Sequence, residues 1–99
     1  MVLTTEKKES DLIVHISGEV NTQTAPELDA LLEKELPGVR ALTLDFAECD
    51  CVTSAGLRVL LKTFKRMKAS NGSMNFENVC KGIMDVFRIT GLDKVFGLR

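Results

Sequence analysis

The strongest constraint on the fold is a strand–turn–helix passage in the middle of the chain. Residues 41–46 (ALTLDF) place Leu42, Leu44 and Phe46 on one side, the two-residue period of a half-buried β-strand. Shortly afterwards Leu57, Leu60, Leu61, Phe64 and Met67 recur at i, i+3, i+4 and i+7 spacing, which predicts one apolar helical stripe. The helix starts near Ser54 or Ala55, and Asn71-Gly72 forms a turn after it. A strand that feeds such a helix must bury one face against it, so the chain is expected to be built in α/β layers.

The flanking segments extend the alternation. Residues 11–17 (DLIVHIS) are β-rich and read as a strand, with residues 2–8 as a hairpin arm and Glu9, Ser10 and Asp11 as the turn. Gly18-Glu19-Val20-Asn21 follows as a loop. Thr24, Pro26 and Glu27 then supply an N-cap, a first-turn proline and a capping box. Leu28, Leu31, Leu32 and Leu36 keep helical spacing until Pro37-Gly38 ends the helix. Residues 73–78 predict a strand, and 79–90 a third helix with Ile83, Val86, Phe87 and Ile89 available for burial. Gly91 suits a helix end, and 94–98 read as a last short strand. This order argues for a mainly parallel or mixed sheet with helices packed on it, joined by right-handed crossovers.

The 99 residues fit one domain spanning 1–99, with enough core to need neither disulfide nor metal. No apolar stretch is long enough for a transmembrane helix, and the first ten residues, MVLTTEKKES, lack the apolar segment of a secretory signal. The expected location is the cytoplasm, without membrane insertion. Cys49, Cys51 and Cys80 are then expected as free thiols. The net charge of −1 predicts no general attraction to nucleic acid. Its distribution is uneven: residues 1–50 carry 4 Lys/Arg against 11 Asp/Glu, and 51–99 carry 9 against 3. The two halves could present opposite charge to a partner, or the charge could simply be solvated surface.

Enzyme chemistry finds little support. The single histidine, His15, lies within an apolar strand, where packing or an edge position is the ordinary role. Cys49-Asp50-Cys51 lacks the second ligand pair of a structural metal site, so neither metal nor cofactor is expected. Asp45, Glu48 and Asp50 near a strand end read as solvated loop acids. Arg58, Lys62, Lys65, Arg66 and Lys68 read as the solvated face of the second helix. With no Trp or Tyr to stack on bases, they do not suggest nucleic-acid binding.

The turn Val52-Thr53-Ser54-Ala55-Gly56-Leu57 leads into the central helix. One reading is structural: Thr53 or Ser54 caps the helix, and small Ala55 and Gly56 permit close packing. The other is functional. A helix N-terminus offers free N–H groups and a positive dipole end, so a phosphate is tolerated there. It changes the surface by about −1.5 to −2 charges without breaking the helix.

Three segments together resemble the STAS family (sulfate transporter and anti-sigma factor antagonist domains), and among it the stand-alone anti-sigma factor antagonists. They are Ile16-Ser17-Gly18-Glu19-Val20-Asn21 running into Thr24-Ala25-Pro26-Glu27-Leu28, the turn at 52–57 followed by Val59-Leu60-Leu61, and Val86-Phe87-Arg88-Ile89-Thr90-Gly91-Leu92. The resemblance implies a single STAS-like α/β domain, with a mixed four- to five-stranded sheet and helices mainly on one face. It implies a binding regulator rather than an enzyme. Its partners would be an anti-sigma factor of the serine protein kinase type and a PP2C-type phosphatase. The family's phosphoserine falls on Ser54, with Thr53 the alternative acceptor. Thr53 and Asn21 stand where the family usually has acids. The implied partner surface comprises Glu19, Asn21, Thr53, Ser54, Ala55, Gly56 and Arg58. Some relatives instead act as constitutive subunits of stressosome-like or lipid-transport complexes.

Overall fold

Strand order follows chain order. In the computed structural model, which describes residues 1–98, β1 (Val2–Lys8), β2 (Asp11–Ser17), β3 (Ala41–Glu48) and β4 (Ser73–Glu77) form a single sheet in the order β1-β2-β3-β4. The β1–β2 pair is an antiparallel hairpin, and β2–β3 and β3–β4 are parallel. Helix α1 (Ala25–Glu35) crosses from β2 to β3, and α2 (Ser54–Ala69) from β3 to β4. Both crossovers step across the sheet in the same direction. Right-handed connections of that kind place both helices on the same face.

Burial along the strands agrees. Leu12, Val14 and Ile16 of β2, and Leu42, Leu44 and Phe46 of β3, are almost completely buried, while Ile13, His15, Thr43 and Asp45 on the alternate face are half-exposed. Leu28 and Leu32 of α1, Leu60 and Met67 of α2, and Ile83 and Phe87 of α3 (Lys81–Thr90) close the same core. Each such side chain contributes about 1.5–3 kcal/mol by leaving water.

The buried stripe of α2 is Gly56, Val59, Leu60, Thr63 and Met67. It is rotated from the predicted stripe, since Leu57, Leu61 and Phe64 are only half-buried. Gly56 opens the stripe where the helix lies against Val20 and Val52, too close for a larger residue. Thr63 tolerates burial because its hydroxyl donates to the Val59 carbonyl at 2.7 Å. On α3, Ile89 is 85% exposed, contrary to expectation. It lies two residues, about 200°, from the buried Phe87 and so faces away.

The C-terminal segment forms a short helix, α4 (Leu92–Val95), where a strand was expected. Gly91, at φ +77°, ends α3 and begins α4. Leu92, Val95 and Phe96 fit helical spacing rather than alternation. Gly97, at φ +73°, stops the turn, and the Leu98 N–H donates to the Asp93 carbonyl at 2.7 Å, a Schellman-type closure. This turn seats Phe96 against Phe64, Phe76 and Phe87, with ring centroids 5.3, 4.7 and 5.5 Å away.

Candidate functional site

At the C-terminal ends of β2 and β3 the chain leaves the sheet in two adjacent loops, one leading into α1 and the other into α2. Backbone bonds join them into a single ridge. The Gly18 N–H donates to the Glu48 carbonyl at 2.9 Å, Val20 N–H to Cys51 at 3.0 Å, and Thr53 N–H back to Val20 at 2.9 Å. Val20 and Val52 form a parallel bridge there and are buried. Gly18 takes φ +96°, a conformation costly for any side chain.

Helix α2 rests directly on this bridge. A β-carbon on Gly56 would lie 2.8 Å from a methyl of Val20, 2.8 Å from a methyl of Val52 and 3.0 Å from the Val20 carbonyl oxygen. Gly56 is thus buried and cannot itself face a partner. Its part is to let the helix start sit flush on both loops. Thr53 is the N-cap residue in extended conformation, but its hydroxyl makes no cap bond. Ser54 is the first helical residue and is exposed. Of the two cap assignments, the structure therefore keeps the position at Thr53 and gives neither hydroxyl the capping role.

Around Ser54, Glu19 and Arg58 are exposed, and Asn21, Thr53 and Ala55 are half-buried. Asn21 has a structural task. Its side-chain oxygen accepts the N–H groups of Gln23 at 2.9 Å and Thr24 at 3.0 Å. Thr24 in turn accepts the Asn21 N–H at 2.8 Å and donates to the Glu19 carbonyl at 2.7 Å. The expected capping box is absent: Thr24 already has helical dihedrals and makes no side-chain cap bond. The chain turns earlier, at Asn21, whose side chain holds the loop and the entry to α1. The Asn-x-x-Thr spacing was the available signal for this arrangement.

A groove of about 320 Å³ opens beside the ridge between α1 and α2, lined by Thr22, Pro26, Ala55, Arg58 and Val59 among others. Farther along α2 some of the opposite charge of the two halves is paired internally. Lys62 pairs with Asp29 at 3.0 Å and with Glu33 at 3.4 Å, and Arg66 pairs with Glu33 at 3.3 Å. The carboxylates of α1 hold the Lys62 ammonium above its usual range, Asp29 most strongly. So two cations of the basic half meet two carboxylates of the acidic half across one helix pair.

Polar chemistry also gathers on the uncovered sheet face. His15 Nε2 meets the Glu6 carboxylate, and Nδ1 lies 2.7 Å from Asp45 Oδ2. Asp45 also accepts Asn78 at 2.8 Å and the Ala47 N–H at 3.0 Å. Asp45 is therefore no solvated loop acid but a strand residue joining β2, β3 and the segment after β4. The hydrogen bonds to Glu6 and then Asp45 raise the imidazole pKa above its ordinary value. Bonds from Asn78, His15 and the Ala47 N–H lower that of Asp45.

The cysteines are free. Cys49 is buried, and burial pushes its thiol pKa up, which disfavours the reactive thiolate. Among the described residues no group of three His, Cys, Asp or Glu is arranged to hold a metal, and no helix is long and apolar enough to cross a membrane.

The family model described as "Mlab, STAS domain" matches residues 3–99. The chain belongs to the STAS family. The STAS domain is 33% identical over 97 residues to BtrV of Bordetella bronchiseptica, named as an anti-sigma factor antagonist, covering 97% of this chain and 84% of that protein. It is 30% identical over 93 residues to the anti-sigma-B factor antagonist of Bacillus subtilis, covering 94% and 85% respectively. The crystal structure of an anti-sigma factor antagonist from Mycobacterium paratuberculosis superposes with TM-score 0.82 at 25% identity, covering 98% of this STAS domain and 83% of that chain.

Proposed function

We propose that this STAS domain is an anti-sigma factor antagonist regulated by phosphorylation at Ser54. It binds an anti-sigma factor of the serine-kinase type in the cytoplasm and thereby releases a sigma factor. The kinase phosphorylates Ser54, and a PP2C-type phosphatase reverses the modification. The observation that carries this reading is the position of Ser54. It is exposed, at the first position of α2, on a ridge made by two hydrogen-bonded loops. A dianion there meets the positive end of the helix and leaves the fold standing. It also puts charge at the centre of a surface formed by Glu19, Asn21, Thr53, Ala55 and Arg58. Repulsion from an acidic partner, or desolvation of the phosphate, then weakens binding.

The test is a pull-down with mass spectrometry, followed by affinity measurements on variants. Ser54→Ala should preserve binding to the captured anti-sigma factor and Ser54→Asp should weaken it. Equal affinity for the two would remove the switch. Thr53 in place of the usual acid supports a second reading, a constitutive subunit of a stressosome-like or lipid-transport complex. In that case captured protein would carry no phosphate at Ser54 or Thr53.

A further inference from the structure

Arg58 stands apart from the other cations on its side of α2. Lys62 and Arg66 are tied to Asp29 and Glu33 of α1. Arg58 is exposed and, among the described residues, forms no ion pair. Asp29, the carboxylate lining the same groove, is held by both of its oxygens on Lys62, at 3.0 and 3.2 Å. No carboxylate competes for Arg58 within its own helical turn, because the first turn of α2 contains no acidic residue.

Ser54 and Arg58 are four residues apart on one helix. That spacing brings β-carbons to about 5–6 Å, and the anion-first order is the favourable one. We infer that a phosphate on Ser54 is bridged by the Arg58 guanidinium, which turns away from the α1–α2 groove to reach it. The inference rests on the reading of Ser54 given above and adds a second consequence of modification. Unmodified, the groove offers a free guanidinium beside apolar walls, suited to an acidic side chain of a partner. Modified, that cation is spent on the protein's own phosphate, so one event blocks the ridge and disarms the groove. Arginine suits this task because its planar fork can grip two phosphate oxygens at once.

The test uses the full chain with phosphoserine genetically encoded at position 54, followed by ³¹P and amide NMR. At low salt the phosphate's second acid dissociation constant should be about twofold larger in the Arg58-containing protein than in Arg58→Gln, the ordinary worth of an exposed (i, i+4) pair. Arg58→Lys should recover part of the difference, 0.5 M salt should erase it, and Lys65→Gln, about three helical turns from Ser54, should leave it unchanged. Phosphorylation should also shift the amide signals of Thr22 and Ala25 more in the parent protein than in Arg58→Gln. Coincident titration curves for parent and Arg58→Gln, or equal shifts at Thr22 and Ala25, would overturn the bridge. Because the phosphate is installed directly, that failure is separate from a failure of the switch, which would appear as an unmodified Ser54 in cells.

Discussion

Replacing Gly56 by alanine probes the join between the two loops and α2. The new methyl would meet Val20 and Val52 methyls at 2.8 Å and the Val20 carbonyl oxygen at 3.0 Å. Neither neighbour yields easily. Both are β-branched and stiff at χ1, both are buried, and the carbonyl already accepts the Thr53 N–H. Overpacking of this kind costs about 1–3 kcal/mol. Alanine returns up to about 1 kcal/mol of helix propensity, and less in a first turn. The net expectation is a loss of about 1–2 kcal/mol, equivalent to a fall in Tm of roughly 5–15 °C for a domain of this size. Urea and thermal unfolding by circular dichroism would measure it. A double-mutant cycle isolates the cause: the combination with Val52→Ala should cost less than the sum of the two single changes. A Gly56→Ala protein melting within about 1 °C of the parent, or strict additivity with Val52→Ala, would refute the close approach as the reason for glycine.

The remaining predictions concern other contacts. His15→Gln should flatten the pH dependence of stability: a raised histidine pKa in the fold stabilises fully below the ordinary value near 6.5 and is lost as pH rises through the folded value. Unfolding midpoints of parent and variant should therefore differ most at about pH 6 and converge in alkali. Asn21→Ala should cost about 1 kcal/mol in urea unfolding, since two N–H groups lose their acceptor, whereas Asn21→Asp should hold stability. Phe96→Ala should cost about 3–4 kcal/mol by calorimetry, because the ring is 6% exposed and packs against three others. Lys62→Ala should change stability by under about 1 kcal/mol, with the effect fading in salt, as exposed ion pairs do.

Much of the architecture was legible because strands and helices carry different periods. Alternation at 42, 44 and 46 placed β3, and helical spacing at 28, 32 and 36 placed α1. The hairpin arm and the start of α2 at Ser54 also emerged as read. Residues 94–98 were misread because five residues are too few to separate the two periods, and only the waiting aromatic cluster decides between them. The inner stripe of α2 was misjudged for a related reason. Hydrophobicity marks a face, but which edge of it lies deepest depends on what packs there, and here the sheet and α1 share it. The division into acidic and basic halves shows the same limit, since a charge count is blind to the Lys62–Asp29 and Arg66–Glu33 pairs that join them.

The sequence by itself determined the layer arrangement, the crossovers and the turn containing Ser54, because periodicity and turn chemistry are local properties of the chain. Only the tertiary structure decided that Gly56 is a spacer, that Asn21 holds a loop, and that Arg58 is left without a carboxylate. Each of those depends on residues brought together from separate strands and helices, and local sequence carries no information about that meeting.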